Sequence, residues 1–356
     1  MLLVVNAGSS SIKLAVFDAG LRAVLAGSVT EIGGAGRLSL GAVDRDCAAA
    51  DHRAALALAF EAMAAQGVGL GDLTAAAHRV VHGGEALVQP ARVTAAVIEG
   101  IEACMPLAPL HNPGNLTAIR ALQALAPDLP QFVSFDTAFH STNPEVAVSY
   151  ALPVAERMRG LRRYGFHGIS YGSLVQHLAE RGMLPDRLLA LHLGNGASLC
   201  AIKASVSVAT TMGYSPLDGI TMGTRTGGID GNAVLRLAEL HGIAGAGRIL
   251  NRESGLLGLG GHSDMRALHA AGTPEAAFAV DHFCYWAVRH AGSMIAAMGG
   301  LDGIAFTGGI GENDAVVRGR IVDGLAWAGA VPVHIVAAEE ERFIAAQALA
   351  LLRAGA

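Results

Sequence analysis

An α/β protein of two lobes facing a cleft is expected from this chain, and three observations carry the expectation. The 356 residues exceed one ordinary core and fit two domains. Short apolar runs alternate with longer stretches at helix spacing. A strand–turn–strand hairpin at the start recurs in the second half, as an internal duplication would make it.

The elements follow in order. Residues 2–6 and 12–17 are apolar runs around the small-residue turn Ala7-Gly8-Ser9-Ser10-Ser11, a hairpin pattern. Strands are expected at 23–29 and 37–43, a helix at 52–66 and a buried strand at 75–81. Helices at 93–104 and 115–125 and a strand at 131–135 complete the first half. The second half restarts with a strand at 188–193, the turn Gly194-Asn195-Gly196-Ala197-Ser198 and a strand at 199–203. Ile-Lys occurs in the second strand of both hairpins, at Lys13 and Lys203, the two lysines of the chain. Helices are expected at 231–241, 273–298, 313–328 and 339–353, and strands at 301–307 and 331–336. No Pro/Ser-rich linker marks the boundary, which is placed near 144–153. The expected domains are 1–148, 149–337 and a terminal helix, 338–356, packing back on the first.

Composition narrows the function. With 52% hydrophobic and 15% charged residues, the chain should bury a large core. A net charge of -5 speaks against nucleic acid as the main partner. Cys47, Cys104, Cys200 and Cys284 are far apart, with no zinc spacing, which suits reduced thiols in the cytoplasm. The apolar start stops at Asn6, and the apolar segment 278–301 is broken by Asp281, His282, Arg289 and His290, so neither a signal peptide nor a membrane span is expected.

Three glycine turns directly follow apolar strands: Asn6 to Ser11, Gly194 to Ser198, and Gly308-Gly309-Ile310-Gly311-Glu312-Asn313. Glycine lets backbone N–H groups approach a phosphate without obstruction, and a helix opening there adds its dipole. Neither lysine follows a glycine, so a Walker A loop is excluded, and G-x-G-x-x-G is absent. One decoy is Gly168-Ile169-Ser170-Tyr171-Gly172, which fits the nucleophile elbow of serine hydrolases. The polar segment 162–167 before it is no buried strand, so Ser170 is read as the cap of a helix over 171–181.

Polar clusters lie between the turns: His78-Arg79-Val80-Val81-His82, Leu107 to Pro113, Phe135-Asp136-Thr137-Ala138-Phe139-His140, Arg163 to Gly168 and Met222 to Gly228. Phosphoryl transfer gives them one joint reading. Arginines and a histidine would surround the charge of the transition state. Arg79 and Arg225 suit a carboxylate substrate and the transferring group, while Asp136 and a glutamate suit a metal.

These segments resemble the acetate and propionate kinase family, within the sugar kinase, heat-shock 70 and actin superfamily. The resemblance is nearly end to end. It rests on N-A-G-S-S-S-I-K at Asn6, H-R-V-V-H-G-G at His78, L-A-P-L-H-N-P at Leu107, F-D-T-A-F-H at Phe135, R-Y-G-F-H-G at Arg163, H-L-G-N-G-A-S at His192, M-G-T-R-T-G at Met222 and G-I-G-E-N at Gly309. It implies two duplicated ribonuclease-H-like, actin-like domains flanking a nucleotide cleft. The activity implied is reversible, magnesium-dependent transfer from ATP to acetate by direct in-line attack, with propionate as the alternative acceptor and manganese as the alternative ion.

The implied roles are specific. Asn6 and Glu340 would hold magnesium, and Lys13 would approach the ATP phosphates. Arg79 would bind the carboxylate, Asp136 would position it, and His167 and Arg225 would stabilise the transition state. Val81, Leu110, Phe166 and Pro216 would form the small apolar pocket, with His111 beside the substrate. His192, Leu193, Gly194, Asn195 and Gly196 would cradle phosphates. Asp264, Met265, Arg266, Gly309, Ile310, Gly311, Glu312 and Asn313 would hold the nucleoside. The family forms homodimers through its second domain.

The chain departs from the family pattern in four places. The segment between Asn313 and Glu340 is short, Glu339-Glu340-Glu341 stands for N-E-E, Ala209 replaces an aspartate, and Gly227-Gly228-Ile229-Asp230-Gly231 stands for G-D-I-D-P. A catalytically silent nucleotide-binding protein of the same fold is the competing reading.

Overall fold

The structure, a computed structural model, describes residues 1–109 and 111–355. The chain divides into two compact units. Unit 1 is Met1–Ala138 plus the C-terminal segment from Glu339, and unit 2 is Phe139–Ala338.

Unit 1 contains β1 (Leu2–Ala7), β2 (Ile12–Phe17), β3 (Ala23–Thr30), β4 (Gly36–Leu40), β5 (Val43–Cys47), α1 (His52–Ala64), β6 (Ala75–Val80), β7 (Ala91–Arg92), α2 (Ala95–Ala103), α3 (Asn112–Leu125) and β8 (Gln131–Phe135). The C-terminal helix, Glu340–Arg353, belongs to it. The sheet order is β5-β4-β3-β2-β1-β6-β8-β7. β1 to β5 form an antiparallel meander, and β1, β6 and β8 run parallel. Leu3 and Val5 of β1 pack with Leu56, Phe60 and Met63 of α1 and Leu122 of α3. The alternate residues Leu2 and Val4 are buried too, and the C-terminal helix packs on β1, β6 and β8. A strand covered on both faces reads as a continuous apolar run, as L-L-V-V does.

Unit 2 contains α4 (Glu145–Val148), α5 (Val154–Arg157), α6 (Gly168–Glu180), β9 (Arg187–Leu193), β10 (Ala197–Lys203), β11 (Val206–Thr210), α7 (Gly231–Arg252), α8 (Gly255–Gly260), α9 (Met265–Ala271), α10 (Pro274–Met298), β12 (Gly303–Thr307), α11 (Gly308–Asn313), α12 (Ala315–Gly324) and β13 (Val333–Ile335). Its sheet order is β11-β10-β9-β12-β13. β11, β10 and β9 are antiparallel, and β9, β12 and β13 parallel. This repeats the β3-β2-β1-β6-β8 order and directions of unit 1, so the duplication is one of topology as well as of two hairpins. Tyr171, Leu174 and Leu178 of α6 cover Leu188, Ala190, Cys200 and Ile202, and α10 packs on the same sheet.

Several expectations need correction. The strand expected at 37–43 is a hairpin, because Gly41 turns with φ 57° and Gln66 Oε1 accepts from the Ala42 N–H at 2.8 Å. The helix expected at 231–241 continues to Arg252 across a kink at Gly242, whose φ of 71° leaves the helical region. The helix expected at 313–328 is α11 and α12 with a break at Asp314, which caps α12 by accepting from the Val317 N–H. β11, α8 and α9 were not anticipated. The unit boundary falls after Ala138 rather than at residue 148. His140 explains this: its Nδ1 meets Ser207 Oγ and its Nε2 donates to the Phe166 carbonyl, both at 2.9 Å, so the chain after Asp136 is tied to unit 2. Ser170 is no cap. It lies inside α6, whose first boundary residue is His167 in the left-handed region, φ 58°. Residues 168–172 are therefore helical, and the hydrolase elbow has no place there. Among the described residues no helix is long and apolar enough to cross a membrane.

Candidate active site

In unit 1 the polar side chains gather at the ends of three adjacent strands. Arg79 near the end of β6 and Asp136 just past β8 are brought together by the parallel register, in which Val80 faces Phe135. The Asp136 N–H donates to the Val80 carbonyl at 3.0 Å. Arg79 grips Asp136 with a fork: Nε reaches the two carboxylate oxygens at 3.0 and 3.1 Å and Nη2 reaches one at 2.6 Å. Asp136 is 2% exposed and Arg79 24%. Burial works against the Arg79 charge, but Asp136 and Glu340 outweigh it and raise its pKa.

Arg79 Nη1 also donates to Asn6 Oδ1 at 3.3 Å. Asn6 pairs across the hairpin with Lys13, which is exposed, and cross-strand partners share a sheet face. Glu340 opens the C-terminal helix. Burial pushes its carboxyl up to about 7, with Asp136 adding to the rise and Arg79 opposing it. Its carboxylate has no hydrogen-bond partner among the described residues, whereas both Asp136 oxygens are engaged. No group of three His, Cys, Asp or Glu suited to a metal gathers among the described residues. The donors are an amide oxygen and carboxylates, all hard, which fits a small dication that keeps several waters.

The remaining unit 1 candidates have clear places. Val81 is buried just past β6, its N–H bonded to Asn115 Oδ1 at 3.1 Å. His111 is the boundary residue before α3. Leu110 lies outside the described residues. The turn after β1 is pinned by Gly8 N–H to Ser11 O at 2.8 Å and by His52 Nε2, which donates to the Gly8 carbonyl at 2.8 Å.

In unit 2 the centre is Gly196. A Cβ on Gly196 would stand 3.3 Å from both Arg225 Nη2 and His167 Nε2. The missing side chain therefore lets a guanidinium and an imidazole converge on one spot. Arg225 Nη1 donates to the Pro216 carbonyl at 2.6 Å, and no carboxylate pairs with it among the described residues. Burial lowers its pKa. A partly buried arginine without a carboxylate is costly to fold, so an anion ligand is its natural complement.

His167 stacks on His192 with ring centroids 4.1 Å apart. His167 Nδ1 meets Ser198 Oγ at 2.9 Å, and His192 Nδ1 meets Ser170 Oγ at 2.8 Å. Ser170 and Tyr171 are thus neighbours of the two rings that the sequence pattern did not single out as phosphate-site residues, while Ser198 ends the second glycine turn. G-I-S-Y at α6 spacing was the available signal. Phe166 is 1% exposed and its carbonyl is held by His140.

Two glycine turns of unit 2 meet. A Cβ on Gly194 would lie 3.9 Å from the Gly309 nitrogen, and Gly308, at φ 79°, packs on the Leu193 backbone. Beside them opens a cavity of about 1030 Å³ lined by Gly194, Asn195, Asp264, Met265, Arg266, Gly309, Ile310 and Asn313, together with Ser263, His269, Ala270, Asp314, Ala315 and Val316. Size and mixed lining suit a nucleotide-sized ligand. Not every expected nucleotide contact faces it. Glu312 Oε1 instead accepts from Gly308 and Ala338 N–H groups at 3.1 and 3.0 Å, pinning α11. The Leu193 side chain is fully buried, and Gly311 is buried against Phe306 and Leu193. Asp264 caps α9 and pairs with Arg266 at 2.6 Å.

The family model described as "Acetokinase family" matches residues 1–345. An acetate kinase of Nitrobacter hamburgensis is 41% identical over 389 aligned residues, covering 99% of this chain and 96% of the relative. Among solved structures, an acetate kinase of Porphyromonas gingivalis aligns with a TM-score of 0.92 at 33% identity, over 99% of each chain. A propionate kinase of Francisella tularensis aligns with a TM-score of 0.93 at 32% identity, over 97% of this chain and 98% of its own.

Proposed function

The chain belongs to the acetokinase family, and from the two half-sites we propose how its own residues carry out the family's reaction. It is an ATP-dependent phosphotransferase of duplicated actin-like fold, with a carboxyl group as acceptor and acetate as the acid. The observation that carries the residue assignment is the convergence of Arg225 and His167 over Gly196, beside turns open to phosphate.

In this reading Arg79 binds the acid's carboxylate, and Asp136 holds the Arg79 fork in orientation through its bidentate pair. The carboxylate oxygen attacks the γ-phosphorus in line, its new O–P bond forming as the bond to ADP breaks. His167 Nε2 and the Arg225 guanidinium donate to the equatorial oxygens as charge spreads over them. The backbone around Gly194 to Gly196 and Gly309 cradles phosphates, and Asp264, Met265, Arg266, Ile310 and Asn313 border the nucleoside. Lys13 meets the phosphates from β2.

Magnesium, when bound, neutralises phosphate charge and orients the ATP. Asn6 and Glu340 are its protein ligands in this reading, an oxygen-only set that also accepts manganese. Val81, Leu110, Phe166 and Pro216 set the length of the acid. A methylene changes affinity only modestly, so propionate is the second substrate. The protein acts as a homodimer in the cytoplasm, with no role for nucleic acid or membrane. Exposed Phe278 and Tyr285 on α10, one heptad apart, support a partner surface on unit 2.

The experiment is trapping of acyl phosphate as hydroxamate with ATP, Mg²⁺ and acetate, propionate or butyrate. Acetate should give the highest kcat/KM. No product with any acid would leave only the silent nucleotide binder.

A further inference from the structure

His167 is backed by two hydroxyls arranged in series. Tyr171 lies one turn further along α6, fully buried, with its hydroxyl 2.6 Å from Ser198 Oγ. Ser198 is fully buried as well, and its Oγ is 2.9 Å from His167 Nδ1. Burial raises the Tyr171 pKa well above its ordinary value, so the hydroxyl keeps its proton and has one hydrogen to give.

One assignment of the protons satisfies both contacts and leaves a donor at the outer ring nitrogen. Each hydroxyl carries one hydrogen and can accept others. A phenol is a stronger acid than an aliphatic hydroxyl and so the better donor, which assigns the Tyr171 hydrogen to the bond with Ser198 Oγ. Ser198 accepts that hydrogen and gives its own to His167 Nδ1. A ring nitrogen that accepts carries no proton, and a neutral imidazole has one N–H, so the N–H is at Nε2. Nε2 is the ring atom that faces the spot over Gly196, where Arg225 Nη2 also arrives.

We propose that Tyr171 and Ser198 are positioning residues that hold His167 as its Nε2–H tautomer, so that the ring presents a donor rather than a lone pair to the transferring phosphoryl group. The proposal rests on the reading of His167 as a transition-state donor. Its structural half stands apart from turnover: the tautomer is a property of the resting protein. With a lone pair at Nε2, the ring would repel the equatorial oxygens instead of binding them.

The test uses the full chain labelled with ¹⁵N-histidine, with the His167 resonances identified by their loss in His167→Gln. The wild type should show the proton on Nε2. In Tyr171→Phe, Ser198 is free to turn and accept from Nδ1–H, so the Nδ1–H tautomer should become populated. kcat should fall about tenfold, the value of one hydrogen bond of about 1.4 kcal/mol, with KM for acetate and ATP within about twofold of wild type. Ser198→Ala should show the same mixture. A wild-type proton on Nδ1 would overturn the proposal, as would variants that keep Nε2–H, or a tautomer change with kcat unaltered. If the wild type shows Nε2–H and a Tyr171-dependent tautomer but forms no acyl phosphate, the relay stands and the kinase reading falls.

Discussion

Arg79 spends most of its guanidinium on Asp136: Nε and Nη2 both donate to the carboxylate, and only Nη1 turns aside to Asn6. A substrate carboxylate binding Arg79 therefore meets an arginine already held in plane. Asp136→Asn keeps the shape but removes the carboxylate that is hydrogen-bonded to Arg79. The expected result is a fall in kcat of about 10²-fold or more and a loss of about 2–3 kcal/mol in urea unfolding. A variant with wild-type kcat would remove Asp136 from the machinery.

Arg225 stands in the opposite situation, with a carbonyl for partner and no carboxylate among the described residues. Arg225→Ala should abolish detectable acyl-phosphate formation, yet ATP should still bind by calorimetry. Its thermal midpoint should equal or exceed that of the wild type, because a charge disfavoured by burial has been removed. A strongly destabilised variant would show that Arg225 is structural.

Gly196→Ala tests the convergence itself. The added methyl would stand 3.3 Å from Arg225 Nη2 and from His167 Nε2, tighter than ordinary contact. Displacing both donors should lower kcat about 10²-fold. The fold should tolerate the change, since both atoms are ends of side chains; circular dichroism and thermal melting check this.

Glu340→Gln should raise the Mg²⁺ concentration needed for half-maximal rate about tenfold or more. Mg²⁺ with ATP should raise the wild-type melting temperature more than that of the variant. Equal Mg²⁺ dependence would dismiss Glu340 as a ligand.

Acid stability should be governed by buried histidines. Burial pushes His78 and His140 down to about 4, from an ordinary value of 6.5. Between these values the unfolded chain binds protons that the folded chain refuses, so stability falls as pH drops from 6.5 towards 4 and is flat above. Each histidine contributes on the order of 3 kcal/mol at full extent. His78→Gln, which removes the ring bonded to Gln131 at 2.7 Å, should flatten the profile of unfolding free energy against pH. An unchanged slope would exclude His78.

Much of the site could be read along the chain. Glycine turns behind apolar strands, Arg79 and Asp136 near strand ends, and the His-Arg clusters are local patterns, because strand period, turn chemistry and phosphate affinity are set by neighbours in sequence. The duplicated hairpin likewise announced the repeated strand order. Relations between distant residues were not legible. Nothing local told that Ser170 sits inside α6 against His192 rather than capping a helix, or that Glu312 turns inward to hold Gly308 and Ala338. The hairpin at Gly41 depended on Gln66, and the unit boundary on His140 reaching Ser207. His167 turns Nδ1 to Ser198 on β10, which the Tyr171 hydroxyl of α6 backs, and Nε2 to the spot over Gly196. Residue types specify which protons and charges exist; packing between elements far apart in the chain decides where they point.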